Sequence, residues 1–277
     1  MARLAWEDEA AAALGRVPLL VRPLARRKVE ERVAAQGRHR VTLDDVRQAE
    51  EGFRALSAGK SGAELEAMLP AANRPGVEMT VLEACRGELA GCPHRLIDVD
   101  EWRRALGAWL GEDRVSERLR ARVAGDQVLY HHKLRLSVCG CPNGCARPQI
   151  ADLALVGMVR PLFDLAQCTA CGACVEACPD QALAMGEGGP TWDGQACQGC
   201  RACAAACPAG CIGTSAPAAR VLMGGKLGRH PRLAQVSGQA SEPAQAVAQM
   251  AQALDQYIQT AQPGERFAAW RARRARE

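Results

Sequence analysis

The chain has 277 residues, 48% of them hydrophobic, and a formal net charge of +4, so it can bury a core in two or three small domains. The net charge is small, and basic residues cluster only in the stretch 271–276, so we do not expect nucleic-acid binding. No apolar run approaches the length of a membrane span and the acidic start is unlike a signal peptide, so we expect no span and a reducing, cytoplasmic location for the 14 cysteines.

Residues 1–57 are predicted to form a helical unit. Its helices are expected at about Leu4–Leu14, Pro23–Ala35 and Leu43–Leu56. Thr42, followed by Asp45, is a capping signal for the last of them. The text from Trp6 to Phe53 resembles the small helical C-terminal domain of a light-independent protochlorophyllide reductase subunit. That resemblance implies a role near a tetrapyrrole, whereas composition alone predicts a helical docking module.

Residues 58–75 are rich in small residues, glycine and proline, and are predicted to be a linker. Strands are then expected at Val77–Ala84, Lys133–Val138 and Ala151–Val159, with a helix at Ile97–Leu110. Strands interleaved with helices predict an α/β or α+β unit whose cysteines lie on loops that leave strand ends.

Two of these loops each offer a pair of thiols, which is enough for one 4Fe-4S cluster. The first pair is Cys85 and Cys92 in EACRGELAGCPHRL, and the second is Cys141 and Cys145 in SVCGCPNGCARPQIAD. The second text resembles the GCPN-x-C element of the nitrite and sulfite reductase family. The glycine-rich, basic text VLMGGKLGRHPRLA at 221–234 resembles that family's siroheme-contacting strand.

The resemblance covers Val77 to about Gly157 and the later strand, within a module expected at 76–160 and 218–236. It implies a cluster bound by these four cysteines, with Cys145 shared between the cluster and the siroheme iron. Cations and amides are the groups that siroheme carboxylates require, and glycines allow close approach to a flat ring. The candidate siroheme contacts are Arg86, Asn143, Arg147, Gly224, Gly225, Lys226, Arg229, His230 and Arg232.

The chain departs from the family in two respects. Full siroheme reductases place a substantial domain before the first cysteine pair and draw anion-binding residues from it, whereas here a short helical unit and a linker precede that pair. Six residues separate Cys85 from Cys92, one more than is usual in the family. An incomplete anion pocket could be completed by another subunit or by a second copy of the chain.

Residues 161–217 contain the spacing Cys-x2-Cys-x2-Cys-x3-Cys-Pro twice, which is the bacterial signature for two 4Fe-4S clusters. In that signature the fourth cysteine of each run binds the other cluster. Cluster one should therefore take Cys168, Cys171, Cys174 and Cys207, and cluster two Cys197, Cys200, Cys203 and Cys178. Zinc or disulfides fit this duplicated order poorly.

Two cysteines, Cys139 and Cys211, are left over and are interpreted as small buried thiols. Residues 241–277 are predicted to form a C-terminal helical tail. Its main helix begins near Pro243, ends before Pro263, and carries the apolar face Val247, Met250, Ala251, Leu254 and Ile258. This face should pack on the domain or on a partner subunit.

We therefore expect an α+β multidomain protein with a helical unit, a reductase-like α/β module, an inserted ferredoxin domain and a C-terminal helix. The leading hypothesis is an oxidoreductase with three 4Fe-4S clusters and siroheme, which takes electrons from a redox protein and reduces a small oxyanion such as sulfite or nitrite. The alternatives are a siroheme-free electron carrier and a tetrapyrrole-binding regulatory protein. No catalytic residue is singled out among the proton donors considered, His94, His131, His132 and His230.

Overall fold

The computed structural model describes residues 4–17, 22–57 and 69–276. Its contacts divide the chain into two compact units, Met1–Met68 and Leu69–Glu277. Most of the predicted linker, 58–68, lies outside the described residues. The rest of it belongs to the second unit, where strand β3 (Ala71–Ala72) pairs with strand β5 (Gln127–Val128).

The first unit is helical. It contains β1 (Ala5–Trp6), α1 (Asp8–Gly15), α2 (Arg22–Ala35), β2 (Arg40–Val41) and α3 (Leu43–Ser57). The two short strands pair in parallel. Because Ala5 and Trp6 belong to β1, the first helix begins at Asp8, later than its apolar spacing predicted. The second and third predicted helices are confirmed. A small core buries Val29 and Val33 of α2 and Val46 of α3 together with Val41 of β2.

The predicted capping signal of α3 is also confirmed. The Asp45 carboxylate accepts hydrogen bonds from the backbone nitrogen and the hydroxyl of Thr42, both at 2.9 Å. Arg38 donates to the same carboxylate, and this bond, more than any other contact, lowers the pKa of Asp45 to about 2. The start of the helix is therefore held by a buried carboxylate with its partners in place.

The second unit is built on a five-stranded sheet in the order β13-β12-β7-β6-β4. Its strands are β4 (Thr80–Ala84), β6 (Leu134–Cys139), β7 (Leu153–Met158), β12 (Ala218–Met223) and β13 (Gln235–Ala240). β4, β6 and β7 run parallel to one another. β12 pairs antiparallel with β7, and β13 pairs antiparallel with β12. The three strands predicted before residue 160 are thus confirmed, with narrower bounds for the first and third.

Helices cover one face of this sheet. They are α4 (Val99–Glu112), α5 (Val115–Arg120), α8 (Pro243–Thr260) and α9 (Phe267–Arg274). Side chains on β7 alternate, so that Leu153 and Leu155 join the helix-covered core, whereas Ala154 and Val156 pack with Cys139 on the opposite face.

The predicted C-terminal helix packs on its own domain. Met250 and Leu254 are fully buried in the core beneath the sheet, and Val247, Ala251 and Ile258 are partly buried beside them. Within the described ranges, no helix is long and apolar enough to cross a membrane.

Residues 161–217 connect β7 to β12 and pack as a pair of short hairpin-like sheets around two small helices. The elements are β8 (Pro161–Phe163), α6 (Ala173–Glu176), β9 (Leu183–Gly186), β10 (Gly189–Trp192), α7 (Ala202–Ala206) and β11 (Ile212–Thr214). β9 pairs with β10, and β11 returns to pair with β8, so the segment begins and ends at one place on the sheet.

Candidate iron-sulfur sites

Two cysteine-lined cavities lie inside the segment 161–217. Cavity one is lined by Cys168, Cys171, Cys174, Cys207 and Cys211, together with Met185 and Pro190. Cavity two is lined by Cys178, Cys197, Cys200 and Cys203, together with Val159, Asp180 and Arg201. The fourth cysteine of each run therefore lies in the cavity of the other run, which is the crossed arrangement that the spacing predicts.

The thiols within each cavity are close enough to influence one another. Burial, followed by the charges of Cys197, Cys200 and Cys178, raises the pKa of the Cys203 thiol to about 11. Burial also raises the pKa of Cys174, with smaller contributions from Cys168 and Cys171. A raised pKa means that these thiols lose their protons less readily. Iron binding would offset that cost, because a metal ion deprotonates its thiol ligands.

The two cysteine runs fold in the same local way. Ala170 and Gly199, each located two residues after the first cysteine of its run, have φ values of +53° and +75°. Their backbone nitrogens donate to the sulfurs of Cys168 and Cys197, both at 3.4 Å. The left-handed turn thus aims an N–H group at each first sulfur, a contact that tunes iron–sulfur potentials.

Cys211 adds a fifth thiol to cavity one. Its sulfur lies 3.3 Å from that of Cys207, and its side chain is 7% exposed. The contact with Cys207 is the main cause that raises the pKa of Cys211 to about 12. The expectation of a small buried thiol is confirmed, but the position of Cys211 in the sequence gives no sign that this thiol lies against a predicted ligand.

A third group of cysteines lies where two parallel strands end. Ala84 of β4 pairs with Val138 of β6, so Cys85 and the loop carrying Cys141 leave the sheet at the same edge. Burial, followed by the charges of Cys92, Cys145 and Cys85, raises the pKa of the Cys141 thiol. The structure therefore brings together the four cysteines that the sequence pairs in two separate loops.

The six-residue loop between Cys85 and Cys92 is a compact turn. The Cys92 nitrogen donates to the Gly87 oxygen at 2.9 Å, and the Glu88 carboxylate accepts from the nitrogen of Val99 at 3.0 Å and pairs with Arg95. Glu88 therefore anchors the loop that ends at Cys92 to the start of α4.

Cys139 lies directly against Cys85. A bond between the two thiols is the main cause that lowers the pKa of Cys85 to about 5 and raises that of Cys139. Backbone nitrogens of Gly140 and Ala146 donate to Cys85 at 3.2 Å and to Cys139 at 3.3 Å. Cys139 is buried, as expected, and like Cys211 it contacts a predicted ligand.

The candidate siroheme contacts fall into two classes. Arg86, Asn143, Arg229 and His230 are exposed. Arg147 pairs with Glu83 at 3.2 Å, and Arg232 donates to the Ala268 oxygen at 2.9 Å, while the backbone of Lys226 pairs with that of Arg232. The second class is already engaged within the chain.

The paired glycines have a structural explanation. A Cβ on Gly225 would lie 2.6 Å from the backbone oxygens of both Gln149 and Ala151, so only glycine allows this close approach. Gly224 adopts a φ of +86° at the end of β12. Glycine is therefore required here for packing against the segment that follows Cys145, whatever else binds beside it.

The histidines are scattered. His131 and His132 form a short 3-10 turn before β6, at the opposite end of that strand from the cysteines, and burial lowers the pKa of His132. His94 and His230 are exposed. None of them contacts the cysteine group in a way that assigns it a catalytic role.

Cavity two and the third cysteine group share a wall. Val159 lines cavity two and also packs with Cys141 and Leu96 in a small buried cluster. Its nitrogen donates to the Gly199 oxygen at 3.0 Å, and Arg201 donates to the oxygen of Pro93, the residue after Cys92. Nothing in the local sequence around Val159 marks this contact.

The cysteines that line the two cavities are arranged around an open volume. Across residues 4–17, 22–57 and 69–276, no group of three or more His, Cys, Asp and Glu is close enough to hold one metal ion. A cube binds one thiolate at each corner iron and so needs sulfurs set apart around an open volume, as in cavities one and two.

Comparison with known proteins agrees with these observations. Residues 6–49 match the family described as proto-chlorophyllide reductase 57 kD subunit. The coenzyme F420-dependent sulfite reductase of Methanocaldococcus jannaschii is 31% identical over 116 residues, 42% of this chain and 16% of that protein. One subunit of the anaerobic sulfite reductase of Salmonella typhimurium is 43% identical over 54 residues, 20% of this chain and 15% of that one. The chain thus matches only a small part of each relative's length.

Among solved structures, dissimilatory sulfite reductase I matches 69% of this chain and 49% of its own, with a TM-score of 0.47 and 16% identity. The Mycobacterium tuberculosis NirA protein matches 69% of this chain and 25% of its own, with a TM-score of 0.38 and 19% identity. Residues 76–274 match the family described as nitrite and sulphite reductase 4Fe-4S domain. Because these residues form well over half of the chain, the protein belongs to that iron-sulfur family.

Proposed function

We propose that the protein is an iron-sulfur oxidoreductase of the sulfite and nitrite reductase type, with three 4Fe-4S clusters and siroheme. The observation that carries the proposal is the convergence of Cys85, Cys92, Cys141 and Cys145 at one edge of the sheet, beside a cavity lined by four further cysteines. The names of the relatives support sulfite as the oxyanion that is reduced, and the description of the matching family adds nitrite.

In this proposal the convergent cysteines bind the third cluster, and Cys145 also binds the siroheme iron. Cys145 is the one member of the group that is exposed, which leaves its sulfur accessible to a second ligand partner. Cluster one binds in cavity one through Cys168, Cys171, Cys174 and Cys207, and cluster two binds in cavity two through Cys197, Cys200, Cys203 and Cys178. Siroheme held beside this third cluster would supply the chemistry of a multi-electron reduction.

The chain's own residues hold and shield these groups. The nitrogen of Gly140 donates to the Cys85 sulfur, and the nitrogens of Ala170 and Gly199 do the same for the ferredoxin-type sites. Exposed Arg86, Arg229 and His230 supply donors for carboxylates of a tetrapyrrole or for an oxyanion. A redox protein delivers electrons, and a partner subunit or a second copy supplies the remaining anion-binding groups.

Anaerobic purification tests the composition. We expect about 13 iron atoms per chain, with a Soret band and a red-region band over the broad iron-sulfur absorbance. Turnover of sulfite or nitrite with a reduced viologen then tests the activity. Spectra with siroheme bands but no turnover of either anion would instead favour a tetrapyrrole-binding regulator.

Replacing the proposed bridging ligand tests the assignment. Cys145→Ser should remove the siroheme bands and about four or five irons while leaving the two ferredoxin-type signals. Cys139→Ala is the control, because Cys139 ends β6 just before the loop that carries Cys145 and is not a proposed ligand, and it should keep all three clusters. Unchanged siroheme bands in Cys145→Ser would contradict the bridging role.

A siroheme-free electron carrier is the second candidate. Two observations favour it: Arg147 and Arg232 are engaged with groups of the same chain, and Gly225 is explained by packing alone. A carrier would purify with about 12 irons and without a Soret band. The same iron and absorbance measurements therefore separate the two candidates.

A further inference from the structure

Arg220 connects the sheet to cavity two. It lies half-buried on β12, and its guanidinium donates to the backbone oxygen of Cys197 at 2.7 Å and to the side chain of Gln198. The charged groups near it are Asp180, which lines cavity two, and Arg160. Arginine stays protonated at any working pH, so cavity two carries a fixed cation next to one of its predicted ligands.

Cavity one has a different electrostatic environment. The residues that line it besides its cysteines are small, apolar or neutral, including Met185, Pro190 and Ile212. Its lining residues belong to the segment 161–217, whereas Val159 brings the sheet into the wall of cavity two. The two cavities therefore offer similar thiols in different electrostatic environments.

We propose that Arg220 sets the reduction potential of cluster two above that of cluster one, so that electrons collect at the cavity beside the third cluster. The inference rests on the cluster assignments proposed above. Reduction adds one negative charge to a cluster, and a nearby cation in a partly buried position stabilises that charge more than water would. Asp180 opposes the effect, but Arg220 is the group bonded to the ligand residue itself.

The position of Val159 gives this potential order a function. An electron from a low-potential one-electron donor protein reduces cluster one and then moves to cluster two, which leaves cluster one oxidised and involves no proton. Val159 lines cavity two and packs with Cys141, so it would lie between cluster two and the third cluster. Arg220 thus acts through the potential of cluster two, and it needs no contact with substrate.

Charge variants test the proposal by redox titration of the anaerobic holoprotein with electron paramagnetic resonance. Arg220→Gln should shift the potential of one ferredoxin-type cluster to a more negative value, and Asp180→Asn should shift the same cluster to a more positive value. Arg220→Lys keeps the charge and should keep most of the original potential. Arg103→Gln, an exposed cation on α4, is the control and should change nothing.

A role limited to bracing the cysteine loop makes different predictions. If bracing were the whole role, Arg220→Lys would behave like Arg220→Gln, including loss of the cluster, and Asp180→Asn would leave the potential unchanged. Either result overturns the proposal. Iron content measured on the same samples tests the cluster assignment separately, since wild-type protein with fewer than about 12 irons would contradict the proposed function itself.

Discussion

Cavities one and two arise from the same cysteine spacing, yet they differ in what surrounds them. Four residues after its fourth cysteine, the first run places Ala182 in cavity two, whereas the second run places Cys211 in cavity one. Cavity two borders Val159, while cavity one is lined by its own segment. A duplicated motif thus specifies two similar sets of ligands, and the neighbouring residues make the two sites unequal.

The largest expected effect comes from deleting equivalent ligands. Cys178→Ala should lose cluster two, because Ala182 offers no replacement thiol, and iron should fall by about four per chain. Cys207→Ala should keep cluster one, because the Cys211 sulfur lies 3.3 Å from the deleted one and can take its place. Iron content and the reduced-state resonance spectrum measure both outcomes.

Transfer of the extra thiol gives the control. Cys207→Ala combined with Cys211→Ala should lose cluster one, and Cys178→Ala combined with Ala182→Cys should recover cluster two. Loss of cluster one in Cys207→Ala alone would show that the fifth thiol is no substitute ligand. The difference between the cavities would then lie only in their walls and charges.

An intermediate effect is expected at the wall. A Cβ on Gly199 would lie 2.7 Å from the Val159 oxygen, in addition to the strain of a φ of +75°. Gly172 has a φ of +80° with no atom within 4 Å of a built Cβ. Gly199→Ala should therefore destabilise cavity two by about 1–3 kcal/mol more than Gly172→Ala destabilises cavity one.

Thermal loss of iron-sulfur absorbance under anaerobic conditions measures this difference. Gly172→Ala shares the left-handed backbone and so isolates the contacts with Met158 and Val159. The position equivalent to Gly172 in the second run is Arg201, which already tolerates a φ of +62°. Equal stability of the two variants would mean that the backbone at Val159 moves to accommodate the methyl group. The contact between Gly199 and Val159 would then not be rigid.

Local patterns predicted much of the fold. Short strand-like segments of apolar residues located β4, β6 and β7, and the signal Thr42 with Asp45 located the start of α3, since both depend on residues close in the chain. The cysteines that line each cavity also followed from spacing, with the exception of Cys211 in cavity one. Tertiary neighbours did not, because the contacts of Arg220 with Cys197 and of Val159 with Cys141 join residues whose own surroundings carry no signal.

The paired glycines at 224 and 225 also show that the sequence does not reveal tertiary neighbours. Their text resembles a siroheme-contacting strand, but the close approach that requires Gly225 is to the backbone of Gln149 and Ala151. A glycine in a sequence indicates that something comes near the backbone, and only the folded chain shows what does.

The smallest expected effect concerns the extra thiol when all the ligands are intact. With Cys207 bound to iron, Cys211 retains its proton and donates a weak hydrogen bond to the ligand sulfur, which favours the reduced cluster. Cys211→Ala should therefore keep all the iron and shift cluster one slightly to a more negative potential, whereas Ala182→Cys should shift cluster two slightly to a more positive one. Because both changes affect one cavity each, a redox titration that moved both clusters together, or neither, would mean that the added thiol does not distinguish the sites. The inequality between the cavities would then rest on Arg220 and Val159 alone.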